Sequence, residues 1–212
     1  MSAPPDLPPD DPTATAPWGS LVPPWEVRSV ETILQTRIFR IRKQVARSRM
    51  RDHEAPFVVM EAADWVNVIA RTDQGQVVLV EQYRHGTDRV TVEIPGGIID
   101  PGEDPIQAGL RELAEETGYR PAPGARVVLL GVVDPNPAIQ SNRCATVLVD
   151  GLVIGPSAPD ANEELGVRLV PQDDLGRLVL DGVITHALVV AALHHLTLFE
   201  LESRRAAQGG RR

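Results

Sequence analysis

The stretch Gly97–Tyr119, GIIDPGEDPIQAGLRELAEETGY, decides how this chain is read. Its second half predicts a helix over Pro105 to Thr117. Asp104 suits the N-cap, Pro105 the first helical position and Gly118 the residue just past the end. On that helix Glu112 and Glu116 stand four residues apart and Glu112 and Glu115 three, so all three carboxylates share one face of the last turns. Like charges so spaced repel by roughly 0.2–0.5 kcal/mol per pair, and the negative end of the helix dipole adds about 0.3–1 kcal/mol per anion. In the following turn only Arg120 is basic. A solvated acidic face is the plain reading. The glycine-rich turn and Glu103 just upstream, in Glu93–Glu103 EIPGGIIDPGE, show that the cluster does not stand alone.

Outside this stretch the chain looks ordinary for a globular protein. It has 212 residues, 42% of them hydrophobic, enough for one substantial core. A net charge of -8 argues against a sequence-independent grip on a nucleic acid polymer, which needs clustered Lys and Arg. The lone Cys144 cannot form an internal disulfide and lies in an apolar run, which suits a reducing cytoplasm. No secretory leader is legible at the start, and the longest apolar run near the C-terminus, Ala187–Leu193, is too short to cross a bilayer, so no membrane association is expected.

Residues 1–24 are dense in Pro, Asp and Ala and read as a disordered arm. A single domain is expected over 25–204, its first part, 25–62, being N-terminal strands, and 205–212 reads as a disordered tail. Runs rich in Val, Ile and aromatics, among them residues 37–46, 56–62, 65–72 and 76–84, predict strands, with a hairpin at TDQGQ around Gly75. Further strands are expected at 125–133, 143–150 and 166–170, then a helix near Pro171 and a long closing helix from Asp181. Strands and helices do not alternate regularly, which points to an α+β fold with a mixed sheet flanked by helices. Gly109 is an oddity, weakening its helix by about 1 kcal/mol relative to Ala; close packing of helix against loop would explain it.

Taken together, Gly97, Glu103, Arg111, Glu112, Leu113, Glu115, Glu116 and Gly118 resemble the Nudix box, a glycine, five residues, a glutamate, seven residues, then Arg-Glu-aliphatic-x-Glu-Glu-x-Gly, with Tyr119 where an aliphatic residue is usual. The resemblance implies a Nudix-type α/β/α sandwich with an additional N-terminal antiparallel strand region. It also implies divalent cations, Mg²⁺ or Mn²⁺, among Glu112, Glu115 and Glu116, with the backbone carbonyl of Gly96 as a further ligand. Gly97, Glu103, Arg111 and Gly118 would be structural members of the box, Arg111 and Glu103 forming a pair that fixes loop against helix.

Pro135, sixteen residues past Tyr119, and the segments EQYRHG, DWVNVIA and DPNPAIQSNRCATVLV are similar to the branch of that family that hydrolyses ADP-ribose and other nucleoside diphosphate sugars. That resemblance implies Arg84 at the diphosphate or terminal sugar, Asp134 and Pro135 beside the sugar, and Ile98 and Trp25 as further substrate contacts, Trp25 stacking on the base. A general base is implied on the loop PDANEELG, where Glu163 and Glu164 are the candidates and Glu163 the preferred one. The branch also implies a homodimer built through the N-terminal strands. Two other readings carry weight, a sanitising pyrophosphatase for damaged triphosphates and a nucleotide-sensing module without turnover. The proline marker and the N-terminal strands count against the first, and the intact glutamates against the second.

Overall fold

The computed structural model describes residues 19–158 and 164–209. Two compact units emerge, one built from the residues up to Ala63 together with Asp134–Asn142, the other from Asp64–Val133 and the residues from Arg143 onward.

The first unit is an antiparallel meander of β1 (Glu26–Gln35), β2 (Phe39–Arg47) and β3 (Glu54–Ala62), in that order. Its first turn is tied by the Thr36 hydroxyl, which accepts from the Phe39 N–H at 3.0 Å, and its second by Ser48 Oγ, which accepts from Met50 and Arg51. Ahead of β1, Trp25 packs edge-on against Phe57, with ring centroids 5.2 Å apart, and more loosely against His53. The segment Asp134–Asn142 lies along β3 through Met60, which donates to Ile139 O at 2.7 Å and accepts from Ser141 N at 3.2 Å. Every residue of β1 is exposed, including Val27, Val30, Ile33 and Leu34.

In the second unit follow β4 (Trp65–Arg71), β5 (Gln76–Arg84), β6 (Arg89–Glu93), β7 (Gly96–Ile98), α1 (Pro105–Thr117), β8 (Tyr119–Val133), β9 (Cys144–Ile154), β10 (Leu165–Pro171), a 3₁₀ turn at Gln172–Asp174, α2 (Leu175–Leu180) and α3 (Ala187–Gly209). The main sheet runs β10-β5-β4-β9-β8, with β6 on β5 and β7 on β4. Among the described strands of this sheet only β4 and β9 pair in parallel, Val68 beside Val147 and Ile69 beside Leu148. The sheet is therefore mixed, as the irregular order of elements in the sequence implied.

Alternation along the central strands shows why they read as unbroken apolar runs, since both faces are covered. Val66, Val68 and Val147 turn to α1, where a Cβ on Gly109 would come within 3.1–3.5 Å of their methyl groups. Ile69 and Leu148 turn the other way, into a cluster with Leu79, Leu175, Ile184, Val189 and Leu196. Two helical layers thus enclose the sheet. Gly109 lets α1 settle on the sheet rather than, as the sequence suggested, on a loop. Cys144 lies inside the sheet, where burial and then Asp64 push its thiol up to about 12, so it is inert at neutral pH.

The closing helix departs from the sequence reading at both ends. The closing helix begins at Ala187, not Asp181, because Gly182 turns to positive φ and Ile184 plugs the core before the helix starts. It then continues to Gly209, past the point where fraying was expected. The hairpin at Gly75 is as read, with φ 74° and its N–H on Thr72 O at 2.9 Å. No helix among the described residues is long and apolar enough to cross a membrane.

Candidate active site

Helix α1 starts and stops where its caps dictate. Asp104 accepts from the N–H groups of Ile106 and Gln107, and Gly118, at φ 76°, returns its N–H to Ala114 O. A side chain at Gly118 would also collide with Gly155 O, 2.4 Å from the Cβ position. These limits place Glu112, Glu115 and Glu116 in the last turns. Arg120 does not answer their charge; its guanidinium donates to the carbonyls of Gly118 and Pro156.

The answer to the charge comes from elsewhere. Glu116, 5% exposed, accepts the Gly96 N–H at 3.0 Å. Glu112 lies against Gly97, where a Cβ would be 2.4 Å from its Oε1. Gly96 is held as tightly, its Cβ position being 2.2 Å from Val66 O. Arg111 spans the rest. Its Nε and Nη2 grip both oxygens of Glu103 at 3.1 and 3.0 Å, Nη2 donates also to Ile98 O, and Nη1 reaches Glu112 at 2.8 Å and Glu115 at 3.2 Å. This pairing holds Glu103 below its ordinary carboxylate range despite some desolvation, and raises the Arg111 guanidinium further.

The donors expected from the sequence, three carboxylates and the carbonyl of Gly96, are all hard oxygens. Among the described residues no three His, Cys, Asp or Glu side chains converge closely enough to close a metal shell by themselves. A small hard cation such as Mg²⁺ fits such a set, because it keeps several positions for water and phosphate oxygens.

These groups border a cleft of about 970 Å³, into which Ile98 and Arg84 also face. Across it Arg84 forms a two-pronged pair with Glu93, both contacts 2.8 Å, and the Thr91 hydroxyl donates to Glu93 at 2.6 Å. Burial pushes Glu93 upward, yet Arg84 and Thr91 outweigh it and hold the carboxyl below its usual value. His186 Nδ1 lies 3.8 Å from Glu93, at the start of α3. Trp25, Asp134 and Pro135 belong to the first unit and are not among the lining residues. Glu164 is exposed just before β10, while Glu163 lies outside the described residues. Asn67, Thr91, Glu93, Thr185 and His186 line the cleft without having been singled out in the sequence. Only Asn67 carried a local signal, as a lone polar residue in WVNVIA.

A mixed sheet between helices, with an acidic helix end seated on a glycine turn at a nucleotide-sized cleft, defines a Nudix hydrolase. The NUDIX domain model matches residues 63–193, more than half of the chain, and the chain belongs to that family. An ADP-ribose pyrophosphatase of Bacillus subtilis is 50% identical over 137 residues, 64% of this chain and 72% of that protein. The ADP-ribose pyrophosphatase of Mycobacterium tuberculosis is 30% identical over 182 residues, 82% of this chain and 84% of that protein. In fold the chain is similar to a crystal structure of an ADP compounds hydrolase, with a TM-score of 0.76 at 22% identity, covering 87% of this chain and 98% of that one.

Gly97→Ala is expected to displace the Glu112 carboxylate and weaken Mg²⁺ uptake roughly 10–100-fold, the range for disturbing the support of a ligand; calorimetric titration measures it, with the far-UV spectrum unchanged. The Arg84–Glu93 pair gives a pH signature. Because the folded carboxyl lies below its unfolded value of about 4.3, the stability it contributes is complete above that value and is lost as pH falls through the folded one. The melting-temperature gap between the unchanged chain and Glu93→Gln should therefore be present above the ordinary carboxylate range and shrink as pH falls below it.

Proposed function

We propose that this chain hydrolyses the diphosphate bond of ADP-ribose or a related nucleoside diphosphate sugar with Mg²⁺, releasing a nucleoside monophosphate and a sugar phosphate. One observation carries the reading: Glu112 and Glu116 are seated on Gly97 and Gly96 at the cleft, an arrangement of anions that a cation and a diphosphate would satisfy together. The two pyrophosphatases similar to this chain support the substrate class.

Glu112, Glu115, Glu116 and the Gly96 carbonyl would hold the metal, and Mn²⁺ accepts the same oxygen donors. When bound, such a cation polarises phosphoryl oxygens and lowers the pKa of a bound water. Arg111 and Glu103 keep the glycine turn in register with the glutamates. Arg84, its fork steadied by Glu93, offers its cationic face to the diphosphate from the other side of the cleft. Glu163 or Glu164 takes the proton from the attacking water, Ile98 contacts the substrate, Trp25 stacks on the base, and Asp134 and Pro135 lie beside the sugar. These last assignments rest on the sequence resemblance.

The protein is further proposed to be a homodimer joined through β1–β3, because a ten-residue strand with Val27, Val30, Ile33 and Leu34 exposed is a poor free edge. Light scattering on a sizing column should return twice the chain mass, and a monomer would exclude it.

The reaction is tested by phosphate release from ADP-ribose, GDP-mannose and UDP-glucose coupled through a phosphatase, and from a nucleoside triphosphate coupled through an inorganic pyrophosphatase instead, with Mg²⁺ and with chelator. Turnover of a diphosphate sugar that chelator abolishes is expected. Glu116→Gln should lower it by roughly 100-fold or more, in line with the loss of a transition-state charge stabiliser, and the fold should survive because a repulsion is relieved. Preference for the triphosphate would overturn the substrate class, and full activity of Glu116→Gln the metal assignment.

A further inference from the structure

Asn67 has no part in the chemistry described above. It stands in β4 among Val66, Val68, Ile69 and Ala70, all wholly buried, and is itself only 9% exposed. Its Nδ2 has no hydrogen-bond partner among the described residues. In the ladder between β4 and β7 it lies directly opposite Gly96, and its Oδ1 is 3.0 Å from the position of a Cβ on that glycine. It forms the wall of the cleft together with Gly96, Gly97 and Glu116.

A buried donor without an acceptor weakens a folded chain, and a valine of similar size would remove that penalty and suit a central strand better. No group among the described residues compensates for the amide. Local rules broken in this way in an otherwise consistent strand are expected where a ligand supplies the missing partner.

We propose that Asn67 is a substrate-binding residue whose Nδ2–H donates to a non-bridging phosphoryl oxygen of the bound diphosphate beside Gly96. Nδ2 is the enclosed end of the amide and Oδ1 the end beside Gly96; a half-turn about Cβ–Cγ exchanges them, presenting the donor next to Gly96 and turning the carbonyl inward. Phosphoryl oxygens offer acceptors only, and an N–H bond to a charged acceptor is stronger than one to a neutral hydroxyl. The position next to Gly96, whose N–H fixes Glu116, places this contact where the diphosphate would meet the carboxylates. The assignment rests on the proposed substrate class, and it makes Asn67 indifferent to base and sugar.

The test compares the unchanged chain with Asn67→Val, Asn67→Ala and Asn67→Asp. For the first two, kcat/KM should fall roughly 10–100-fold, as for a lost hydrogen bond to a charged group, by the same factor on ADP-ribose, GDP-mannose and UDP-glucose. Asn67→Asp should lose more, since it sets an anion against the phosphate. The melting temperature of Asn67→Val should equal or exceed that of the unchanged chain. ADP titrated calorimetrically with Mg²⁺ should bind Asn67→Val more weakly by the same factor. Unchanged turnover and ADP affinity would overturn the assignment. So would a melting temperature that falls in step with activity, which marks a structural role, or a loss confined to one sugar, which marks a sugar contact. If the unchanged chain turns over none of the three yet binds ADP in an Asn67-dependent way, the reaction falls and this contact stands. If it does neither, both fall.

Discussion

Everything at this site depends on how three carboxylates are kept together at the end of a helix whose dipole repels them. The chain solves this with backbone and one side chain. Gly96 offers its N–H to Glu116, Gly97 leaves room for Glu112, and Arg111 divides its donors among Glu103, Glu112 and Glu115. A Cβ on Gly97 would strike Glu112, and one on Gly96 would strike Val66 O. The caps of α1 matter for the same reason: one residue more or less would rotate the glutamates by about 100° away from β7.

The opposite wall of the cleft follows a different logic. There a nearly buried carboxylate, Glu93, is stabilised by Arg84 and Thr91 rather than crowded by its own kind. The carboxylate group around α1 is poised to take up positive charge, whereas Glu93 holds a cationic side chain already in place. Both walls belong to the second unit, so their spacing is set by the sheet on which β4, β5, β6 and β7 are strung.

What was legible in the sequence was local. Asp104, Pro105 and Gly118 carry the ends of α1 in their own conformational preferences, and Gly75 carries a hairpin. The pairing of β4 with β9 was not legible, because it joins Trp65 to Cys144 across three short strands, a helix and the 15-residue β8. The start of α3 was misread because Val183 and Ile184 fit a helical spacing, whereas packing of Ile184 into the core and the turn at Gly182 decide otherwise. Gly109 was noticed but given the wrong neighbour, since its partners Val66, Val68 and Val147 come from two strands far apart in the chain. Glu93 and His186 carry no local mark at all. Their meeting is a product of the tertiary fold.

One helix, α1, bears both the inner wall of the sandwich and the anionic cluster: Ala108, Gly109 and Leu113 are sealed against the sheet while Glu112 and Glu116 point to the cleft from the neighbouring positions. A shift of that helix by a fraction of an ångström, harmless to many cores, would here change where those carboxylates stand in the cleft. Robustness and chemistry are therefore mechanically coupled in this molecule, and neither can drift far without carrying the other along.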